Sequence, residues 1–146
     1  MTEKQNTVQQ NAELPRYWPS KDLIGKIVFD VKNHSCGKIQ YFLIDPEKFS
    51  ISGVMVKQRF FKEYFLSREY FNKISPSGLF LNSIPIKPNT KVVNTEGKNK
   101  GKVTRINYDH DTNKFQSLEV KSGFTKKIIF AEKIIGIGEK VTIQSN

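Results

Sequence analysis

The sequence predicts an all-β protein built from two small β-barrels in tandem, each with a short helical turn. From Ser20 onward, short runs of β-branched and aromatic residues alternate with Gly, Asn, Asp, Pro and Ser, which is typical of short strands and tight turns. When the sequence is shifted so that Val28 falls on Val92, its halves align without a gap over roughly forty positions. Residues 1–19 are polar instead. We therefore predict a disordered tail at 1–19, a first module at 20–82 and a second module at 83–146.

The alignment keeps turn residues and apolar residues in step. It pairs Gly37 with Gly101, Asp45 with Asp109, residues 54–57 with 118–121, and Phe65 with Ile129. Chance similarity would not preserve turn glycines, turn acids and alternating apolar positions together. A duplicated β module explains all three.

Each module is predicted to begin with four strands. They lie at 26–31, 39–44, 51–57 and 63–66 in the first module, and at 91–95, 103–108, 115–121 and 127–130 in the second. Gly37 and Gly101 close the first turn of each module, where a positive φ favours glycine. Asp45 and Asp109 open the second turn, since an Asp side chain accepts hydrogen bonds from the backbone that follows it.

A short helix and a closing strand are predicted to complete each module. Ser67 is a suitable N-cap for a helix over 68–74, with Tyr70, Phe71 and Ile74 facing inward. The closing strands lie at 78–82 and 139–143. Five short strands with one helical turn suit a small closed barrel, which leaves no free sheet edge.

The chain of 146 residues is strongly basic, with 24 Lys and Arg against 14 Asp and Glu and a net charge of +10. The tail is neutral, so the excess lies on the predicted modules. This charge favours RNA, acidic protein surfaces or an anionic membrane surface as partners. The alternative is compositional drift, because nearly all the cations are Lys and the chain is rich in Asn, Ile and Phe, whose codons are AT-rich.

The sequence favours a cytoplasmic protein. Its polar start lacks the apolar segment of a secretory signal, and the single cysteine, Cys36, has no partner for an internal disulfide. No stretch approaches the roughly 20 apolar residues that a membrane helix needs, although peripheral contact with a membrane stays open.

Residue patterns for catalysis or metal binding are weak. His34 and Cys36 offer two metal ligands but lack a second pair to complete a site. Cys36 is better explained as a small buried filler. Asp45 and Asp109 are better explained by their turns than by acid–base catalysis. We expect no catalytic residue, metal or cofactor.

A lysine-rich hairpin is the best candidate for anion or RNA binding. Its cations are Lys98, Lys100, Lys102 and Arg105. Contacts of this kind to phosphates would give an affinity that falls steeply with salt. The alternative is a solvated turn. The aromatic segment at 59–65 could also stack on bases.

Apolar residues of the first module replace polar ones of the second at three aligned positions. Tyr41, Met55 and Phe61 stand where the second module has Arg105, Glu119 and Thr125. Such positions are covered by something apolar in only one module. Either this face holds the second barrel, which we favour, or it holds a protein partner. The predicted partner-binding residues are Tyr41, Met55, Phe60, Phe61 and Tyr64.

Several segments resemble the PRC-barrel family. They are 23–28 (LIGKIV), 36–39 (CGKI), 53–56 (GVMV) and 65–74 (FLSREYFNKI), with 134–141 (IIGIGEKV) closing the second copy in the manner of short archaeal members. The resemblance covers residues 21–145. It implies a small barrel that serves as a docking or assembly module and carries no known catalytic residues.

The resemblance implies two functions. The first is a non-enzymatic adaptor that binds protein partners, in archaeal cell division or another membrane-proximal complex. The second is an RNA- or ribosome-associated factor, as in the family member RimM, a ribosome maturation factor. As departures from the family, we expect neither the membrane span of the reaction-centre H subunit nor the N-terminal domain of RimM. The partner and the oligomeric state stay open.

Overall fold

A computed structural model of the chain describes residues 18–145. The predicted tail at 1–19 lies outside this part except for its last two residues. The described chain forms twelve strands, arranged as two six-stranded sheets, and three short 3₁₀ turns. None of these turns is long or apolar enough to cross a membrane.

The two sheets have the same strand order. The first contains β1 (Ile27–Phe29), β2 (Ser35–Asp45), β3 (Ser50–Lys57), β4 (Tyr64–Ser67), β5 (Phe71–Ser75) and β6 (Gly78–Leu81) in the order β4-β3-β2-β1-β6-β5. The second contains β7 (Lys91–Asn94), β8 (Asn99–Tyr108), β9 (Phe115–Ser122), β10 (Thr125–Phe130), β11 (Ile134–Ile137) and β12 (Lys140–Ile143) in the order β10-β9-β8-β7-β12-β11. The pairs β1–β6 and β7–β12 are parallel, and the other pairs are antiparallel.

The helix predicted at 68–74 is only a 3₁₀ turn, Arg68–Tyr70, and its second half is a strand. Ser67 does cap a turn, because its hydroxyl accepts the Glu69 amide hydrogen at 3.3 Å, but the turn ends at Tyr70 and β5 follows. Strand β5 has a register shift between Phe71 and Lys73. Such a bulge lets residues three apart share a face, which imitates a helical period. Each sheet therefore has six strands where we predicted five.

Each sheet encloses its own apolar core. The first core consists of Leu23, Val28, Cys36, Ile39, Val54, Val56, Tyr64, Leu66, Leu79 and Leu81. The second consists of Ile86, Val92, Val103, Leu118, Val120, Ile129, Val141 and Ile143. Ile106 packs against both cores. The alternation of these residues with exposed ones follows the two-residue period of a strand.

The two glycines that we predicted to close the first turn lie inside strands instead, Gly37 in β2 and Gly101 in β8, at equivalent places. Gly37 pairs with Val28 and has φ +125°, while Gly101 pairs with Val92 and has φ +116°. A Cβ atom at Gly37 would lie 2.6 Å from the Lys57 carbonyl oxygen, and one at Gly101 would lie 2.4 Å from the Lys121 carbonyl oxygen. Both positions therefore require glycine for its dihedral angle and for its lack of a side chain.

The ungapped alignment slips by one residue at the fourth strand of each sheet. Leu66 pairs with Val54, and Ile129 pairs with Leu118. Leu66 therefore corresponds to Ile129, and the predicted match of Phe65 with Ile129 is wrong. The reason is the preceding connection, which is one residue longer in the first sheet and forms an open loop at 58–63.

Candidate functional site

The loop at 58–63 is held against the segment that joins the two sheets. The Gln58 side-chain amide donates to the Pro88 carbonyl oxygen at 3.2 Å, and the Lys57 ammonium donates to the Phe61 carbonyl oxygen. The Phe61 amide closes a turn by donating to the Gln58 carbonyl oxygen at 3.4 Å. The Gln58–Pro88 hydrogen bond thus ties the loop to the segment that leads into the second sheet, and the other two hold the loop's own shape.

Two phenylalanines project from this loop. Phe60 is 81% exposed and Phe61 is 37% exposed. The Arg59 guanidinium lies 5.2 Å from the centre of the Phe60 ring, within the range of a cation–π contact. An exposed aromatic face beside a guanidinium is a surface on which a planar ring can stack.

A groove of about 610 Å³ separates this loop from the outer face of the second sheet. Its lining includes the rings of Phe60 and Phe61 and the cations Lys62, Lys102, Arg105, Lys121 and Lys126. Among residues 18–145, Glu119 is the one acidic residue that lines it. We call this the aromatic–basic groove. Its chemistry suits a ligand that carries both negative charge and flat apolar rings.

The predicted anion-binding cations separate into two groups. Lys102 and Arg105 line the aromatic–basic groove, whereas Lys98 and Lys100 do not. Arg105 lies opposite Glu119 at a register shift of β8, where the Thr104 hydroxyl donates to the Glu119 carbonyl oxygen at 3.2 Å. The hairpin is therefore not one basic surface.

The predicted partner-binding residues do not share one surface either. Tyr41 lies opposite Met55, is 46% exposed and donates from its hydroxyl to the Glu63 carboxylate at 2.9 Å. This hydrogen bond raises the pKa of Tyr41. Tyr64 is buried, and its hydroxyl donates to the Cys36 carbonyl oxygen at 2.8 Å. Burial raises the Tyr64 pKa, and its ring is a core residue rather than a surface residue.

The sheets meet through other residues than we expected. The ring of Phe65 packs on the ring of Tyr108, with their centres 5.0 Å apart. Tyr41 stays largely exposed, so the contact between the sheets does not cover it. The interpretation that Tyr41 holds the second sheet is therefore wrong.

An apolar cavity of about 850 Å³ lies on the first sheet beside Tyr41. Ile24, Ile27, Ile39 and Tyr41 supply its apolar lining. Lys38, Lys57 and Arg59 also line it, and none of the described residues that line it is acidic. This cavity suits an apolar group with negative charge at its edge.

The residues that we weighed for catalysis have structural roles. Cys36 is buried in the first core, and burial raises the pKa of its thiol to about 11. The Asp45 and Asp109 carboxylates each accept two backbone amide hydrogens in their turns, which lowers both pKa values and confirms the predicted turns. Among residues 18–145, no three His, Cys, Asp or Glu side chains come together as metal ligands.

Sequence reasoning missed Lys62, Lys121 and Lys126 as members of the groove. They become neighbours of Lys102 only through strand pairing and through the folded loop at 58–63. The alternation of Lys121 with the apolar residues of β9 was the signal that placed it on the outer face.

We compared the chain with protein-family models and with curated proteins. No protein-family model matches the chain, and no curated protein matches it. The resemblance to the PRC-barrel family therefore stays a prediction from the residues given above.

Proposed function

We propose that this protein is a cytoplasmic, non-enzymatic binding protein whose aromatic–basic groove holds a single-stranded nucleic acid such as RNA. One observation carries the proposal. The groove places two phenylalanine rings from the first sheet opposite cations from the second. Neither sheet forms this site alone.

The cations of the groove match the phosphate of a nucleotide, and its phenylalanine rings match the base. Lys102, Arg105 and Lys121 would neutralise phosphates and release their counterions. The exposed face of Phe60 would stack on a base, a contact typically worth about 1–3 kcal/mol per base. Because any base has a flat face, we expect little sequence preference.

We also propose that each sheet closes into a PRC-type barrel, so that residues 20–82 and 83–146 form tandem modules. Support comes from the common strand order, from the separate cores and from the equivalent glycines Gly37 and Gly101. The linker at 82–90 would then set the width of the groove between the modules.

Fluorescence anisotropy with a short labelled oligouridylate tests the nucleic-acid proposal. Phe60→Ala is expected to weaken binding by about 5-fold to 100-fold, since it removes one stacking surface. Phe49→Ala is the matched control, because Phe49 is 87% exposed and does not line the groove. If Phe60→Ala and Phe49→Ala bind as tightly as the unchanged protein, stacking in the groove is refuted.

A second candidate function is the protein adaptor implied by the PRC-barrel resemblance, in cell division or another membrane-proximal assembly. The apolar cavity beside Tyr41 favours it. Its described lining has three cations and no acid, which suits a partner segment with an apolar anchor and an acidic edge. Met55 lies opposite Tyr41 in the sheet and would extend the contact.

Site-specific cross-linking separates the adaptor from the nucleic-acid function. A photoreactive residue at Tyr41 should capture a protein with an acidic segment from native lysate even after nuclease treatment. The control places the same residue at Ile137, an exposed apolar position of the second sheet. Equal capture at both positions, or loss of capture with nuclease, would count against the adaptor.

A further inference from the structure

Five lysines form a continuous row across the second sheet. They come from five neighbouring strands and lie directly opposite one another, in the order Lys140, Lys91, Lys102, Lys121 and Lys126. All five are exposed. We call this set the lysine row.

The lysine row lies on one face of the sheet. Residues that are directly paired across strands point to the same side, and neighbours along a strand point to opposite sides. The residues next to the row face the core, namely Val141, Val92, Val103 and Val120. The five ammonium groups therefore share the outer face that forms one wall of the aromatic–basic groove.

This arrangement works against folding. Like charges directly opposite one another on a sheet are destabilising. Within residues 18–145, Lys32 forms an ion pair with Glu139, and no lysine of the row takes part in an ion pair. The fold does not require a row of lysines either. In the first sheet, the positions equivalent to Lys140, Lys91, Lys102 and Lys121 are Gly78, Ile27, Lys38 and Lys57.

We propose that the lysine row is the track for the phosphates of the bound strand. This inference rests on the proposed function and adds the direction of the ligand. The strand would cross the second sheet perpendicular to its β-strands, from Lys126 past the groove to Lys140, with its bases turned toward Phe60. Adjacent strands lie about 4.8 Å apart, so the track is about 19 Å long.

The track extends the site beyond the groove. Lys102, Lys121 and Lys126 line the groove, whereas Lys91 and Lys140 lie outside it. Substitutions at Lys91 and Lys140 therefore test the track without changing a residue that lines the groove. Each phosphate that they neutralise adds about 0.7 to the slope of log affinity against log salt concentration for a single strand.

The test is Lys91→Gln/Lys140→Gln in the full chain, measured with the labelled oligouridylate from about 50 to 200 mM salt. We expect the salt slope to become shallower by about 1.4 and the low-salt affinity to fall about tenfold or more. Lys48→Gln/Lys114→Gln is the control, because it removes the same charge from turns at the far ends of the strands. The control should leave the slope nearly unchanged.

The outcomes separate the track from the function on which it rests. If the unchanged protein does not bind the oligonucleotide, the nucleic-acid proposal and the track both fail. If it binds and Phe60→Ala weakens binding, but Lys91→Gln/Lys140→Gln behaves as the control does, the track alone is overturned.

Folding and membrane binding are controlled in the same series. Removal of opposed cations should leave thermal stability equal or slightly higher, so unfolding would not explain a loss of binding. Sedimentation with phosphatidylglycerol vesicles checks the other polyanionic surface. If the double variant loses vesicle binding but keeps oligonucleotide binding, the row serves a membrane surface and the proposal is wrong.

Discussion

Tyr108 of β8 packs edge-on against Phe65 of β4, and its hydroxyl donates to the Phe65 carbonyl oxygen at 3.2 Å. The ring centres are 5.0 Å apart and the ring planes are 88° apart. One side chain of the second sheet thus makes both an aromatic contact and a polar contact with the first sheet. Burial raises the pKa of Tyr108. The aromatic–basic groove depends on how the sheets are placed, so this pair helps to set its width.

Tyr108→Phe is expected to lower the free energy of unfolding by about 0.5–1.5 kcal/mol, because it removes the hydroxyl and leaves the Phe65 carbonyl without that donor. Tyr41→Phe is the control, since it removes an exposed hydroxyl that donates to Glu63 in the loop at 58–63, within the first half of the chain. Urea unfolding measures both. A larger loss for Tyr41→Phe than for Tyr108→Phe would contradict this role of Tyr108.

Alanine substitutions at three glycines should separate steric overlap from dihedral strain. Gly37→Ala and Gly101→Ala meet backbone oxygens below 3 Å, so each should destabilise by about 2 kcal/mol or more. Gly97 has φ +81° but nothing within 4 Å of its missing Cβ, so Gly97→Ala should lose only about 1–2 kcal/mol. Chemical denaturation tests the ranking, which is refuted if Gly97→Ala is the most damaging of the three.

Local features of this fold were predictable from the sequence. Asp45 and Asp109 form their turns with amides two and three residues away, and Ser67 caps a turn within its own segment. Such contacts depend on neighbours in the chain, so residue type and spacing are enough to indicate them.

Features that depend on distant residues were not predictable. The bulge of β5 requires the pairing with β6 and made Phe71 and Ile74 resemble one face of a helix. The exposure of Phe60 depends on where the loop at 58–63 comes to rest. Lys91 and Lys126 are far apart in sequence, and only the register of four strands places them in one row.

The Cys36 thiol is expected to resist alkylation in the folded protein. Its pKa is about 11 against an ordinary value of 9.0, chiefly because burial disfavours the thiolate. At pH 8, iodoacetamide should label the native protein far more slowly than the urea-unfolded protein. Mass spectrometry measures the rate of labelling in each state. Equal labelling rates in the two states would contradict the burial of this thiol.

The same pKa predicts a pH dependence of stability. The folded state holds the Cys36 proton more tightly than the unfolded state, so this stabilising contribution is complete below about pH 9 and is lost as the pH rises toward 11. Cys36→Ala should lose less stability than the unchanged protein between pH 9 and pH 11. If both proteins lose stability equally over this range, the thiol is not the group responsible.

The hydrogen bonds of Asp30 and Asn94 indicate which substitutions the first turn of each sheet tolerates. The Asp30 carboxylate accepts the amide hydrogens of Lys32 at 2.8 Å and His34 at 3.0 Å, and Asn94 makes the equivalent pair of bonds in the second sheet. Both side chains are buried. The turn therefore needs one buried side-chain oxygen but not a negative charge.

Asp30→Asn is accordingly expected to change the free energy of unfolding by less than about 1 kcal/mol, since the amide oxygen keeps both bonds. Asp30→Ala should lose about 1–3 kcal/mol, because two buried amides lose their acceptor. Asn94→Ala should show a loss of the same size in the second sheet. Urea unfolding near neutral pH compares the three variants. If Asp30→Asn were as damaging as Asp30→Ala, the charge and its 3.9 Å approach to the His34 ring would be the essential feature instead.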